Sequence, residues 1–426
     1  MVVIGCEFQI LQLVEMKMAG RRVWRDAATL MLTAKSPQGA QEIANKTAFS
    51  AHFDYSVLML KRSSRSKFMP NAYVFPGGVV SGADFSSSWK DHFKHHGHNQ
   101  DDLEQLVLKD VDRPLLMTGD PSEGLARDIS LRLTAIRETF EESGILLHRS
   151  KEERGAFDFS DKQFLSDWRS RVHKEPDTFL ELFQHLETVP DIWSLREWSD
   201  WLTPTDLGEQ GNRRFDTMFY QASLTSVPST LLDHGEVTMV QWSDPASILA
   251  QFYDRQIWLA PPQVYELSKL LNFPHITNLD RVSQERQGHG LSTWLPVRMQ
   301  CQDGLLSLLP GDHLYPDNPD YVGPQPSDQQ QRYGDYLQTL NYIKIYYFSA
   351  HIKKTIQLNY NGTMEESRGK NLPLNRLEFR DMYDCVPNVT YKSKHKFPSP
   401  TNFNDFQVWN SVITFFPLIL FLFRNT

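Results

Sequence analysis

Apolar positions along the chain change period several times, and each change marks an element. In "RRVWRDAATLMLTAK" (21–35), Ala27, Leu30 and Leu32 fall in an apolar run that predicts a first strand, and "FDYSVLMLKRS" (53–63), with Val57 and Met59, predicts a second. From 85 to 122 the chain turns polar, and this stretch reads as a loop. "EGLARDISLRLTAIRETFEESG" (123–144) then places Ile129, Leu133, Ile136 and Phe140 at spacings of four, three and four, which predicts a long helix stopped by Gly144. Two further helices are expected at 160–173 and 176–188. Strands are expected at 198–204, 213–224 and 236–245, and "PPQVYELSKLL" (261–271) predicts a helix opened by prolines. Strands and helices alternating in this way predict an α/β sandwich built on a mixed sheet.

The pattern also divides the chain. Residues 1–20 read as an appendage and 21–300 as the folded domain. Residues 301–335 read as a linker, with "GPQPSDQQQ" inside it, and 336–426 as an irregular, poorly structured tail. Composition changes this picture little. Over 426 residues, 40% apolar and 23% charged residues suit a sizeable core, and a net charge of −8 argues against bulk binding to nucleic acid or an anionic membrane. Cys6, Cys301 and Cys385 lie far apart and form no CxxC pair, so neither a disulfide framework nor a cysteine zinc site is expected.

The chemistry is concentrated in "RETFEESGILL" (137–147). On a helix, Glu138 shares a face with Glu141 and Glu142, where like charges repel by a few tenths of a kcal/mol per pair, roughly, near a helix end whose dipole disfavours anions. A divalent cation reverses the sign of that interaction, and Arg137 can brace one carboxylate. The alternative is a solvated acidic helix face. Upstream, "YVFPGGVVSGAD" (73–84) reads as a strand entering a double-glycine turn, preceded by Lys61, Arg62, Arg65 and Lys67. Those four cations can meet phosphates, or they can form an ordinary solubilising loop.

Taken together, FPGG and Arg137-Glu138-x-x-Glu141-Glu142-x-Gly144-Ile145 resemble the box of the Nudix hydrolases, with the two halves separated by an insert of about 45 residues at about 85–129. Thr139 stands where that pattern has an aliphatic residue. The box's first acid is Asp84 counted from the front, whereas Ile129 falls there counted from the back. A split box, with "WRDAATLMLTA", "WLTP", "RRFDTMFY" and "PPQVYEL" around it, is similar to the long-insert Nudix hydrolases of the peroxisomal coenzyme A diphosphatase type over about residues 21–300.

The resemblance implies a Nudix α/β/α sandwich with a mixed sheet, helical insertions and an irregular C-terminal extension. It implies a metal-dependent diphosphatase that cleaves coenzyme A and acyl-coenzyme A to 3′,5′-ADP and (acyl-)4′-phosphopantetheine. Glu138, Glu141 and Glu142 would ligate Mg²⁺ or Mn²⁺ with Arg137 beside them. Gly77 and Gly78 would bring backbone amides to the phosphates, and Lys61, Arg62 and Arg65 would bind substrate. The general base stays open, with Glu236 in "DHGEV" a candidate. Other Nudix specificities (ADP-ribose, a dinucleotide, an RNA cap) or a non-catalytic Nudix-fold binding protein are the alternatives. The expected partner is a small-molecule substrate, with no nucleic acid, no stable membrane span and a monomeric chain.

Two features remain outside that reading. His92, His95, His96 and His98 in "HFKHHGHNQDD" lack an accompanying cysteine or carboxylate framework and read as a solvated loop. The apolar run at 408–423 carries Pro417 and is short of the roughly 20 residues a span needs. The family resemblance places the protein in the peroxisome, but the chain ends Arg424-Asn425-Thr426 where such relatives carry a Ser-Lys-Leu-like address, leaving mitochondrion or cytosol as alternatives.

Overall fold

The computed structural model describes residues 24–36, 53–66, 69–118, 124–206, 214–231, 236–301, 304–312, 314–322, 327–328, 342–348 and 353–359. The strands are β1 (Trp24–Lys35), β2 (Tyr55–Arg62), β3 (Ala72–Val74), β4 (Gly77–Val79), β5 (Leu147–Arg149), β6 (Arg154–Ala156), β7 (Val189–Pro190), β8 (Arg196–Leu202), β9 (Arg214–Leu224), β10 (Val237–Ser243), β11 (Trp258–Leu259), β12 (Thr293–Trp294), β13 (Val297–Cys301), β14 (Gly304–Leu308), β15 (Ser327–Asp328), β16 (Tyr342–Phe348) and β17 (Lys353–Asn359). The helices are α1 (Ser88–His95), α2 (Gln100–Glu104), α3 (Arg127–Ser143), α4 (Lys162–Lys174), α5 (Thr178–His185), α6 (Pro245–Tyr253), α7 (Pro261–Leu270) and α8 (Ile276–Glu285).

Nine strands form one mixed sheet in the order β11-β3-β2-β1-β9-β8-β12, with β4 also on β1 and β10 also on β2. The long central pair, β1 and β9, is parallel from Trp24↔Arg214 to Ala34↔Leu224. Both faces of this sheet are covered, which is why β1 and β2 read as nearly unbroken apolar runs. Leu30, Leu32, Leu58 and Leu60 face α3, whose Ile129, Leu133, Ile136 and Phe140 complete one core. Met31, Tyr55, Val57 and Met59 face α6, α7 and α8 in the other. Each buried leucine or isoleucine contributes about 1.5–3 kcal/mol of transfer free energy. Helix layers on both faces make the expected α/β/α sandwich. Among the described residues, no helix is long and apolar enough to cross a membrane.

The insert is not the loop expected for 85–122. Ser81 and Asp84 form a capping box on a 3₁₀ turn, Gly82–Phe85, and α1 and α2 follow. Trp89 and Phe93, one helical turn apart, bury themselves beside Phe179 and Phe183 of α5. His92 is buried with them, its Nε2 2.8 Å from the Thr188 carbonyl, and His98 lies against Trp193. The solvated-loop reading therefore fails for His92, which a helical core contact buries, whereas His98 sits half-buried in the connection between α1 and α2.

Beyond residue 296, further paired strands are described. In the stretch read as a linker, β14 pairs with β13, and Leu308, Leu309 and Tyr321 are buried. In the stretch read as an irregular tail, β16 and β17 pair antiparallel. Their sequences, YIKIYYF and KKTIQLN, hold the β-branched and aromatic residues that favour strands. Residues 1–20, Lys67 and the 408–423 run lie outside the described residues.

Candidate active site

Helix α3 is buried along almost its whole length, Glu141 and Glu142 included, and Gly144 ends it with φ of 77°. Its glutamates face β4, and the two glycines there allow the approach. A Cβ on Gly77 would stand 2.1 Å from Thr29 Oγ1 on the β1 side, and one on Gly78 would stand 2.5 Å from Glu138 Oε2 on the helix side. The Gly77 N–H donates to Glu142 Oε2 at 3.0 Å.

Arg137 organises the acids. Its Nε and Nη2 donate to the two oxygens of Asp84 at 2.9 and 3.0 Å, Nη2 also reaches the Val79 carbonyl at 3.0 Å, and Nη1 lies 2.9 Å from Glu138 and 2.6 Å from Glu141. Asp84 further accepts from Thr134 Oγ1 at 2.8 Å and from the Ser81 N–H at 2.9 Å. Of the two positions left open for the first acid, Asp84 is the one at the site, whereas Ile129 is buried in the core.

Glu141 is held from three directions. Oε1 meets Arg137, Oε2 meets His173 Nδ1 at 3.1 Å, and its backbone carbonyl accepts from Arg169 Nη2 at 2.6 Å. Burial pushes the carboxyls of Glu138 and Glu142 up, Glu142 to about 8, with Glu138 adding repulsion to Glu142. Buried, mutually repelling carboxylates that face an open cleft favour a bound cation.

That cleft, about 370 Å³, is lined by all three glutamates, Arg62, His173 and Glu236. The pairing of β10 with β2 sets Val237 opposite Arg62 and so brings Glu236 in. Among the expected cations, Arg62 lines the cleft and its Nε and Nη2 donate to Ser66 Oγ. Lys61 instead lies over the Tyr73 ring, 5.8 Å from its centroid, and Arg65 is exposed away from the lining. Sequence reasoning missed His173, because nothing in the ordinary amphipathic pattern of α4 signals a contact 32 positions away.

A second pocket of about 620 Å³ adjoins the cleft, sharing Arg62, Gly77, Gly78 and Val79 with it. Phe75, Trp201, Phe215, Phe219 and Trp258 give it aromatic walls. Trp201 is fixed from behind by Glu266, a buried carboxylate that accepts from Trp201 Nε1 at 2.8 Å, Trp198 Nε1 at 2.6 Å and Ser199 Oγ at 2.7 Å.

Among the described residues no group of three or more His, Cys, Asp or Glu side chains is arranged to hold a metal ion as it stands. The acids are turned toward Arg137, His173 and the Gly77 amide. Their chemistry nonetheless fits a hard divalent cation: oxygen donors at one cleft, with burial penalising their unpaired charge.

A mixed sheet between two helical layers, with a glutamate helix packed on a double-glycine strand, defines a Nudix hydrolase domain. The NUDT19 Nudix domain model matches residues 24–270 and the NUDT19 C-terminal domain model matches 298–333, so the chain belongs to the NUDT19 family. It is 41% identical over 321 residues to the acyl-coenzyme A diphosphatase NUDT19 of Gallus gallus, covering 71% of this chain and 82% of that one. The Xenopus laevis protein of the same name is 38% identical over 317 residues, 71% of this chain and 83% of the relative. Among solved structures, a NUDIX hydrolase from Alicyclobacillus acidocaldarius aligns over 61% of this chain and 96% of its own, with 22% identity and a TM-score of 0.44. The chain is a Nudix pyrophosphohydrolase, a class that uses divalent metal ions.

Proposed function

We propose that this chain hydrolyses the pyrophosphate of coenzyme A and acyl-coenzyme A, releasing 3′,5′-ADP and 4′-phosphopantetheine or its acyl form. The relatives' named activity supports the substrate, and the observation that carries the chemistry is the convergence of Glu138, Glu141 and Glu142 on one cleft behind the β4 glycines, with Glu141 and Glu142 buried. Glu138, Glu141 and Glu142 would hold Mg²⁺ or Mn²⁺, which offsets phosphate charge and activates water. Arg137 keeps two of these acids in place while Asp84 balances it from the other side. Arg62, which lines the cleft from β2, would meet the phosphates, and Glu236, exposed at the cleft, would take the proton of the attacking water. The attack forms a new P–O bond to one phosphorus and breaks its bond to the bridging oxygen, which leaves on the other phosphate. The family resemblance supports a peroxisomal location.

Product analysis with coenzyme A, acyl-coenzyme A, ADP-ribose and dinucleotide polyphosphates, each with and without Mg²⁺ or Mn²⁺, tests the reading. Metal-dependent formation of 3′,5′-ADP from the coenzyme A substrates is expected. A faster reaction with ADP-ribose or a dinucleotide overturns the substrate assignment.

A further inference from the structure

The aromatic pocket beside the glutamate cleft is not built by residues 24–270 alone. Pro296, Arg298 and Ser307, from β13, β14 and the residue before them, line it, and they lie past the Nudix domain match. Arg298 Nη1 reaches Asp206 Oδ2 at 2.7 Å, which clasps β13 to the segment following β8. Across the pocket stand Trp258 and the Pro261-Pro262 start of α7, and the sheet supplies Phe219.

Charge decides what fits there. Among the described residues, the pocket's lining holds no carboxylate, and its cations are Arg62, at the junction with the cleft, and Arg298, paired with Asp206. Coenzyme A is unequal about its pyrophosphate: one side carries a ribose with a further phosphate dianion, the other an uncharged pantetheine arm and its acyl group. Desolvating a dianion against aromatic and proline walls is unfavourable without a cation to meet it, whereas an apolar arm gains by burial. At about 620 Å³ the space lies within the usual size of a small-molecule site.

We propose that Pro296, Arg298 and Ser307 form a wall of the substrate site, and that the pocket they close takes the acyl-pantetheine arm while the phosphates lie at the Arg62–Gly78 junction. This rests on the coenzyme A reading above. It makes the C-terminal segment a determinant of acyl selectivity as well as of folding.

The test uses the full chain and the two product halves as inhibitors, acyl-4′-phosphopantetheine and 3′,5′-ADP. Arg298→Ala opens the rim and Ser307→Leu fills the pocket, and melting temperatures report whether each variant folds. If one variant does not fold, the other still decides the matter. Expected are inhibition by the acyl half weakened roughly tenfold, inhibition by 3′,5′-ADP changed less than about twofold, and a Ser307→Leu preference shifted to shorter acyl chains. Selective weakening of 3′,5′-ADP overturns the assignment by giving the pocket to the nucleotide. Unchanged inhibition by both halves overturns the wall itself. An unaltered chain that cleaves no coenzyme A ester overturns the parent reading, and the arm assignment with it, by a separate signature.

Discussion

Arg137 and Asp84, 53 positions apart in sequence, meet through two parallel hydrogen bonds of 2.9 and 3.0 Å, both groups being almost wholly buried. The insert thus leaves the two halves of the box in contact, since its first helix, α1, packs aside on α5. Asp84 balances a guanidinium that would otherwise be buried beside Glu138 and Glu141 alone, and it holds the Ser81 turn as well. Replacing Asp84 by Ala is expected to cost about 3–5 kcal/mol in urea unfolding and to lower kcat, as one partner of a buried pair is removed. Ile129→Val, at the position sequence counting also allowed, should cost only about 0.5–1.5 kcal/mol and leave kcat unchanged. Equal kinetic effects of the two would remove Asp84 from the site.

Glu142 is buried with one backbone donor and a repelling neighbour, so burial raises its pKa to about 8. An acid whose folded pKa is raised keeps its proton after the unfolded chain has lost it, so stability falls as pH rises from about 4.3 toward 8. Glu142→Gln removes this dependence. In metal-free buffer the variant should melt at or above the wild-type temperature at pH 8, with the advantage vanishing near pH 4, while metal-dependent hydrolysis is lost. Near-wild-type turnover in Glu142→Gln would sink the assignment of this carboxylate as a metal ligand.

Much of this architecture can be read in the sequence because the deciding contacts are local or periodic. The spacing of Ile129, Leu133, Ile136 and Phe140 gives α3, and the apolar runs of β1 and β2 give strands covered on both faces. What stays hidden depends on distant partners. Trp89 and Phe93 look isolated among His, Lys and Asp until Phe179 and Phe183 are brought to them. β11 and β12 are two-residue strands placed by pairing with β3 and β8 and by burial of Leu259 and Trp294. The same division holds at the site: the glutamates follow from helical spacing, but His173 and Arg298 arrive through tertiary packing.

The β4 glycines give a third expectation. A methyl at Gly78 would stand 2.5 Å from Cδ and Oε2 of Glu138, so the carboxylate must swing away. Because the obstructing group is the end of a flexible side chain, Gly78→Ala should fold, yet lose at least about tenfold in kcat and need more metal for half-maximal rate. Gly82→Ala meets open space and should behave as wild type. Metal-titration kinetics on both variants check this, and an unaffected Gly78→Ala would mean that the position of Glu138 against β4 does not matter.

Asp200 and Asp216, on the adjacent strands β8 and β9, are both fully buried, and Asp26 of β1 is the cross-strand partner of Asp216. Burial raises both carboxyls well above their usual range; the charge of Asp26 raises both further, and that of Asp200 raises Asp216. In the folded chain they therefore bind protons that the unfolded chain has released above about pH 4, so it is the native state that holds more protons. Stability is then full below the unfolded pKa and declines as pH rises through the folded values. Asp200→Asn keeps the volume, removes one charge and supplies an amide that can donate to Asp216. The variant should be more stable than wild type at pH 8 by about 1–3 kcal/mol, and the gap should narrow steadily toward pH 5. Urea unfolding at a series of pH values measures it. A variant with the same pH slope as wild type would show that this carboxylate pair is not the source of the dependence.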